Sequence, residues 1–187
     1  MRKLEMELSA PQVMHEFHQT AQLQRPIYGD WLPHTLLHGQ TARTFVAVGP
    51  AGAGFVPAKW GRDRLIESPY LQRQDPSIVK RGLLFITGYI DADPNGELHE
   101  RFFRWFQVQS ANRPWFTLGC SWEKVEDTGE LQFAVLNTNF RGRDLEGVPI
   151  SEPLIVPPSR WNEWLSPVTK SDFGYVTGPD TLRVTQI

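Results

Sequence analysis

A single cysteine is the most reactive side chain that this sequence offers. Cys120 lies in "NRPWFTLGCSWEK" (112–124), between a glycine and a serine and among aromatic residues. A nucleophilic cysteine usually needs a neighbour that stabilises the thiolate, such as a protonated histidine or a helix N-terminus, and no histidine lies within twenty residues along the chain. Free cysteine is also among the most buried residue types. We therefore predict that Cys120 packs in a strand and does not attack a substrate.

Two close pairs of histidines could in principle hold a metal ion, "HEFH" (His15, His18) and "HTLLH" (His34, His38). Four imidazoles can bind zinc as a tetrahedral set. The first pair has a usable spacing on a predicted helix, but the second falls in a predicted loop, and no carboxylate arrangement supports either. The glycine-rich "GPAGAG" also lacks the Lys-Ser/Thr that completes a phosphate-binding loop. We predict no metal site and no cofactor.

The segment "KWGRDRLIESPYLQRQDPSIVKR" (59–81) is locally basic in an acidic chain. It carries six lysines and arginines against three acidic residues, a net charge of +3, with Trp60 and Tyr70 interleaved. Cations for phosphates and aromatic faces for unstacked bases are what single-strand binding requires. A solvated charged loop around core aromatics explains the same composition. The segment indicates a nucleic-acid surface or such a loop.

Composition narrows the classes of protein that remain. The 187 residues are 40% apolar, enough for one core, so we expect one domain over 1–187. No apolar run approaches the roughly 20 residues of a membrane helix, and "MRKLEMELSAPQ" lacks the apolar core of a signal peptide. One cysteine is compatible with a reducing compartment. We expect a cytoplasmic protein with no membrane partner, whose net charge of −2 leaves any nucleic-acid affinity to a local patch.

Hydrophobic patterning predicts the elements that position these residues. Apolar and β-branched runs between turn signals predict strands that form one curved antiparallel arrangement, near 44–48, 83–91, 103–109, 115–122 and 131–138. Helices are predicted near 10–22 and near 159–165. Ser159 would cap the second helix, with Trp161, Trp164 and Leu165 on one face.

Five segments stand in a recognisable order along the chain: "GFVPAKWGRD", "RGLLFITGYID", "RPWFTLGCSWE", "FAVLNTN" and "EPLIVPPSRWNEWLSP". They resemble successive segments of the SOS-response-associated peptidase family, and the last is similar to the family's Pro-Pro-x-x-Trp-x-x-Trp-Leu-x-Pro. Members of that family shield abasic sites in single-stranded DNA by covalent attachment. The resemblance spans nearly the whole chain. It implies an α+β fold: a single compact β-rich domain with a curved antiparallel sheet and a few short helices.

The family's catalytic residues are mostly replaced in this sequence. The resemblance places Arg2 where the family has the cysteine that captures the abasic sugar, and Glu67 where it has an asparagine. It places Pro149 where the family has a histidine, and proline cannot transfer a proton. The family glutamate corresponds to Asp91. These replacements imply a catalytically degenerate member of the family.

Three functions remain open on this basis. The first is non-covalent binding of single-stranded or abasic DNA in a DNA-damage response, through Trp60, Arg62, Arg64, Arg141 and Arg143, with Trp60 stacking on a base or packing beneath the patch. The second is a protein-interaction or structural role in which the old cleft is occupied. The third is an enzyme with a rebuilt carboxylate site at Glu67 and Asp91, since paired carboxylates with different pKa values can perform acid–base chemistry.

Overall fold

The computed structural model describes residues 3–7, 35–37, 43–48, 54–61, 64–66, 80–92, 105–143, 149–166 and 182–187. These residues form twelve strands in two sheets, one short α-helix and one 3₁₀ turn. Five strands of the larger sheet form a closed ring, because β10 pairs with both β4 and β9. In ring order they are β4 (Phe55–Trp60), β3 (Arg43–Val48), β6 (Arg81–Ile86), β9 (Phe116–Lys124) and β10 (Leu131–Arg143).

Two further strands extend this barrel, and five others form the second sheet. β5 (Arg64–Ile66) and β11 (Pro149–Pro153) both pair with β10. The second sheet has the order β12 (Leu182–Gln186), β8 (Trp105–Ser110), β7 (Gly88–Ala92), β1 (Lys3–Glu5) and β2 (Thr35–Leu37). All of its pairings are antiparallel.

The helix predicted near 159–165 is present but short. The 3₁₀ turn Pro158–Arg160 leads into α1 (Trp161–Leu165), and Trp161, Trp164 and Leu165 are buried, as their spacing predicts. Ser159 does not cap the helix, because it lies inside the 3₁₀ turn and the cap positions make no side-chain hydrogen bond. α1 ends where the backbone of Ser166 becomes extended, ahead of a proline that disfavours helical geometry in the residue before it.

The expected α+β fold with several short helices is wrong. Among the described residues α1 is the only α-helix, and the molecule is mainly β with a closed five-stranded barrel. In the described part of the chain, strand residues supply most of both core clusters. The short helix α1 packs its buried face against the outside of the barrel. The helix predicted near 10–22 lies outside the described residues.

The single antiparallel arrangement is also wrong. β10 runs parallel to β4 and β5, and β7 and β8 belong to the second sheet. The run predicted as one strand over 83–91 is divided at Thr87, where the chain leaves the barrel and enters that sheet. Hydrogen bonds from the Thr87 N–H to the Glu5 carbonyl (2.8 Å) and from the Glu7 N–H to Thr87 Oγ1 (3.3 Å) hold this corner.

The core has two layers, one on each side of the barrel wall. The inner cluster includes Leu118, Cys120 and Phe133, and the outer cluster includes Leu83, Phe85 and the α1 side chains. β9 is buried at both faces over most of its length, because its inward residues meet the barrel interior while Gly119 contacts Leu154 and Trp164 outside. The apolar run around Cys120 is therefore a wall between two layers.

Candidate functional site

Asp91 lies near the end of β7, beside the start of the N-terminal strand. β1 is antiparallel to β7 with Lys3 opposite Ile90, and the Cα partner of Asp91 on β8 is Phe106. The register therefore brings Lys3, the first residue of β1, close to the end of β7 that carries Asp91. Arg2 and Glu67 lie outside the described residues, so the Glu67–Asp91 carboxylate pair stays a prediction.

Three of the arginine and proline positions singled out in the sequence lie on two neighbouring strands. Arg143 on β10 is the Cα partner of Pro149, the first residue of β11, and Arg141 is the partner of Ser151. Both arginines belong to the long strand β10. Their Cα atoms are two residues apart, which is roughly 7 Å along the strand.

Arg64 lies on the strand next to this pair. It begins β5, which runs parallel to β10 with Arg64 opposite Leu136. Five and seven residues separate Leu136 from Arg141 and Arg143, so the three arginine positions are spread over about 23 Å along these two neighbouring strands. Arg62 lies outside the described residues. We call β5 together with the Arg141–Arg143 end of β10 the arginine strands.

Other cations of the basic segment are engaged within the protein. Lys59 Nζ lies 2.6 Å from Oε2 of Glu130, and both side chains are about three-quarters buried. The guanidinium of Arg81 lies 5.2 Å from the ring of Trp164, and its Nη1 donates to the Trp164 carbonyl at 3.5 Å. Burial lowers the pKa of Arg81, and the nearby Glu163 partly offsets this. Lys59 and Arg81, two of the six cations of the segment 59–81, therefore make contacts that stabilise the fold.

Trp60 is part of the barrel interior. Its side chain is 1% exposed and lies nearly parallel to the ring of Phe133, with 6.3 Å between the ring centroids. Of the two positions predicted for it, packing beneath the surface describes this geometry. The alternation of buried Ala58 and Trp60 with half-buried Lys59 on β4 is the signal for this inward position.

Cys120 is fully buried in the inner cluster, and this confirms the packing prediction. Its neighbours include Gly82 on the adjacent strand, whose missing side chain leaves room for the sulfur. Burial without a compensating cation raises the pKa of the Cys120 thiol far above its ordinary value. The thiolate needed for nucleophilic attack is therefore not accessible in the folded protein.

A surface cleft of about 340 Å³ lies on the outer side of β9 and β10, at the end of β4. No sequence motif predicted this cleft, because its residues come from separate strands. Its polar contributors are Ser121, Glu123 and Gln132, and Gly61 closes one side. Within the residues that the structure describes, no group of histidine, cysteine and carboxylate side chains could hold a metal ion. No helix among those same residues is long and apolar enough to cross a membrane.

Comparison with known proteins identifies the fold and no more. No protein-family model matches the chain, and no curated protein matches it. A protein from Bordetella bronchiseptica superposes with a TM-score of 0.72 at 10% identity, covering 100% of this chain and 99% of its own. A phage-related protein from the same organism gives 0.71 at 10% identity, covering 100% and 94%.

A third solved structure, a protein from Bacteroides thetaiotaomicron, gives a TM-score of 0.68 at 14% identity and covers 100% of this chain and 92% of its own. All three matches extend over nearly the full length of both chains. Identities this low demonstrate a shared fold and leave the chemistry of the site to the residues themselves.

Proposed function

We propose that this protein is a degenerate relative of the SOS-response-associated peptidases that binds single-stranded DNA, including DNA with abasic sites, without a covalent bond. The observation that carries the proposal is the pairing of the arginine strands, which places Arg64 on β5 and Arg141 and Arg143 on the neighbouring strand β10. Arginine suits a phosphate backbone, because its guanidinium group can donate two parallel hydrogen bonds to phosphate oxygens.

The charge balance of the rest of the protein supports a local, electrostatic interaction. The net charge is −2, so there is no general attraction for DNA. Lys59 is paired with Glu130 and Arg81 packs on Trp164, so the proposal assigns the phosphate contacts to the arginine strands. Three or four phosphate contacts give weak binding, and the logarithm of the binding constant falls against the logarithm of salt concentration with a slope of about −2 to −3, at about 0.7 per contact for single strands.

The covalent reaction of the family is not part of the proposal. Arg2 has no thiol, and Pro149 at the start of β11 has no group that transfers a proton. Cys120 cannot substitute for the missing thiol, because it is fully buried in the barrel. Binding would hold or shield a strand for as long as the complex lasts, without forming an adduct.

The test is a salt titration of binding to a fluorescently labelled single-stranded oligonucleotide, followed by fluorescence anisotropy. The Arg141→Gln/Arg143→Gln double variant should flatten the slope by about 1.4 units, since two contacts are lost. Lys124→Gln/Arg183→Gln is the matched control, because it removes two exposed positive charges away from the arginine strands. Its slope should equal that of the unmodified protein.

Two results would contradict the proposal. The first is an absence of binding at low salt, and the second is an equal loss of slope in the double variant and the control. Absence of binding would favour the protein-interaction role over a DNA role. Hydrolytic or acid–base activity that disappears in a Glu67→Gln/Asp91→Asn variant would instead favour the rebuilt carboxylate enzyme.

A further inference from the structure

A second cavity, of about 230 Å³, lies between the start of β9, the 3₁₀ turn and the start of β12. It is separate from the arginine strands and plays no part in the proposed DNA binding. Its walls are mostly apolar, with a polar edge supplied by the loop after β8. The lining residues that carry the argument are Arg113, Trp115, Phe116, Ile155, Pro157 and Leu182.

The walls of this cavity are held in place by the core. Trp115 is 6% exposed, and its ring lies 5.8 Å from Phe85 and 5.9 Å from Trp161. Phe116 packs edge-on against Tyr89 at 6.3 Å. Ile155 forms a bridge with Leu118 of the barrel wall. The cavity is therefore preformed, which is typical of sites for small molecules.

Arg113 supplies one positive charge at the edge of the cavity. Its side chain is exposed, and its guanidinium carbon lies 5.9 Å from the centroid of the Trp115 ring. The Arg113 N–H donates to Ser110 Oγ at 3.1 Å, which fixes the loop that carries it. None of the ion pairs found in the described part of the chain involves Arg113, and none of the described residues that line the cavity is acidic.

We propose that this cavity binds a small apolar carboxylic acid, with an aryl or branched alkyl body. The body would contact Phe116, Ile155 and Leu182, and the carboxylate would meet the guanidinium of Arg113 at the edge. A planar guanidinium matches the two oxygens of a carboxylate. The volume lies below the 300–1,000 Å³ typical of drug-sized ligands, which limits the ligand to about one ring or one short branched chain.

The test uses phenylacetate and its neutral isostere phenylacetamide as probes, with the full chain. Binding is followed in ¹H–¹⁵N spectra by the indole signal of Trp115, which is assigned by its loss in Trp115→Phe. We expect phenylacetate to shift this signal with a Kd on the order of millimolar. Phenylacetamide should bind about two- to fivefold more weakly, as an exposed charge pair predicts.

Two variants separate the charge from the cavity. Arg113→Gln should lower the affinity for phenylacetate to that for phenylacetamide. The control Lys124→Gln, at the far end of β9, should leave the affinities for both probes unchanged. Leu182→Trp should fill the cavity and weaken both probes together. The proposal is overturned if phenylacetate leaves the Trp115 signal unchanged, if acid and amide bind equally to the unmodified protein, or if Lys124→Gln acts like Arg113→Gln.

Discussion

The indole N–H of Trp161 donates a hydrogen bond to Oγ1 of Thr117 at 2.9 Å and also approaches the Val156 carbonyl at 3.1 Å. Trp161 is fully buried and lies at the start of α1, whereas Thr117 lies on the barrel strand β9. The Thr117 hydroxyl donates in turn to the Val156 carbonyl. This buried polar contact fixes α1 against the outside of the barrel.

Trp161→Phe should lower the free energy of unfolding by about 2–4 kcal/mol, because it removes the donor of this contact and leaves a gap in the outer cluster. Urea unfolding followed by circular dichroism measures the change. Ser159→Ala is the control, since Ser159 is exposed and caps no helix, and it should change stability by less than about 0.5 kcal/mol. A decrease of more than about 1 kcal/mol in the free energy of unfolding of Ser159→Ala would indicate that Ser159 does cap the helix.

Cys120 should react slowly with thiol reagents in the folded protein, because it is fully buried and burial raises its pKa. The measurement is the rate of labelling with a chromogenic disulfide at neutral pH, compared with the rate in denaturant. Labelling in the folded state should follow transient unfolding and be slower by orders of magnitude. Equal rates in the two conditions would show that the barrel does not enclose the thiol.

The same burial predicts that stability falls in alkaline solution. The thiol pKa is raised in the folded protein, so Cys120 stays neutral there while the unfolded chain ionises above a pH of about 8.5. The contribution of the buried neutral thiol to the free energy of unfolding is complete below that pH. It is lost as the pH rises further, by about 1.4 kcal/mol per pH unit. Cys120→Ala lacks this contribution, so the stability difference between the two proteins should shift by about 2 kcal/mol in favour of the variant between pH 8 and 10. A constant difference would contradict the prediction.

Arg62→Gln/Arg64→Gln should flatten the salt dependence of oligonucleotide binding by about 1–1.5 units, since two phosphate contacts would be lost. Arg64 begins β5 beside β10, and Arg62 precedes it by two residues. Anisotropy titrations at several salt concentrations measure the slope, with Lys124→Gln/Arg183→Gln as the charge-matched control. If the slope is unchanged in this variant, Arg62 and Arg64 do not contact the oligonucleotide.

Incubation with an oligonucleotide that contains an abasic site should leave the protein free after denaturing electrophoresis. The physical reason is that Arg2 provides no aminothiol, and the buried thiol of Cys120 is not accessible. The matched experiment uses an intact oligonucleotide, and both lanes should look alike. A shifted, heat-resistant band in the abasic lane alone would show that covalent chemistry survives.

The local patterns that proved informative were those with a strong period. The i, i+3, i+4 spacing of Trp161, Trp164 and Leu165 predicted the buried face of α1. The apolar run around Cys120 predicted a buried strand, and β9 occupies it. β4 was missed because it contains Pro57, which usually argues against a central strand. Proline is tolerated there because β4 pairs with β10 only at Lys59 and Trp60.

The sequence by itself determined the strands of the longer apolar runs, such as β3, β9 and β10, and the buried face of α1, because these follow from local backbone preference and from hydrophobic periodicity. Only the tertiary structure decided which strands are neighbours. Closure of the barrel by β10, the division of 83–91 at Thr87 and the parallel pairing of Arg64 with Leu136 all join residues distant in sequence. The hydrophobic pattern of a strand buried on both faces, such as β9, does not specify which strands lie beside it. The choice among them depends on the packing of the whole core.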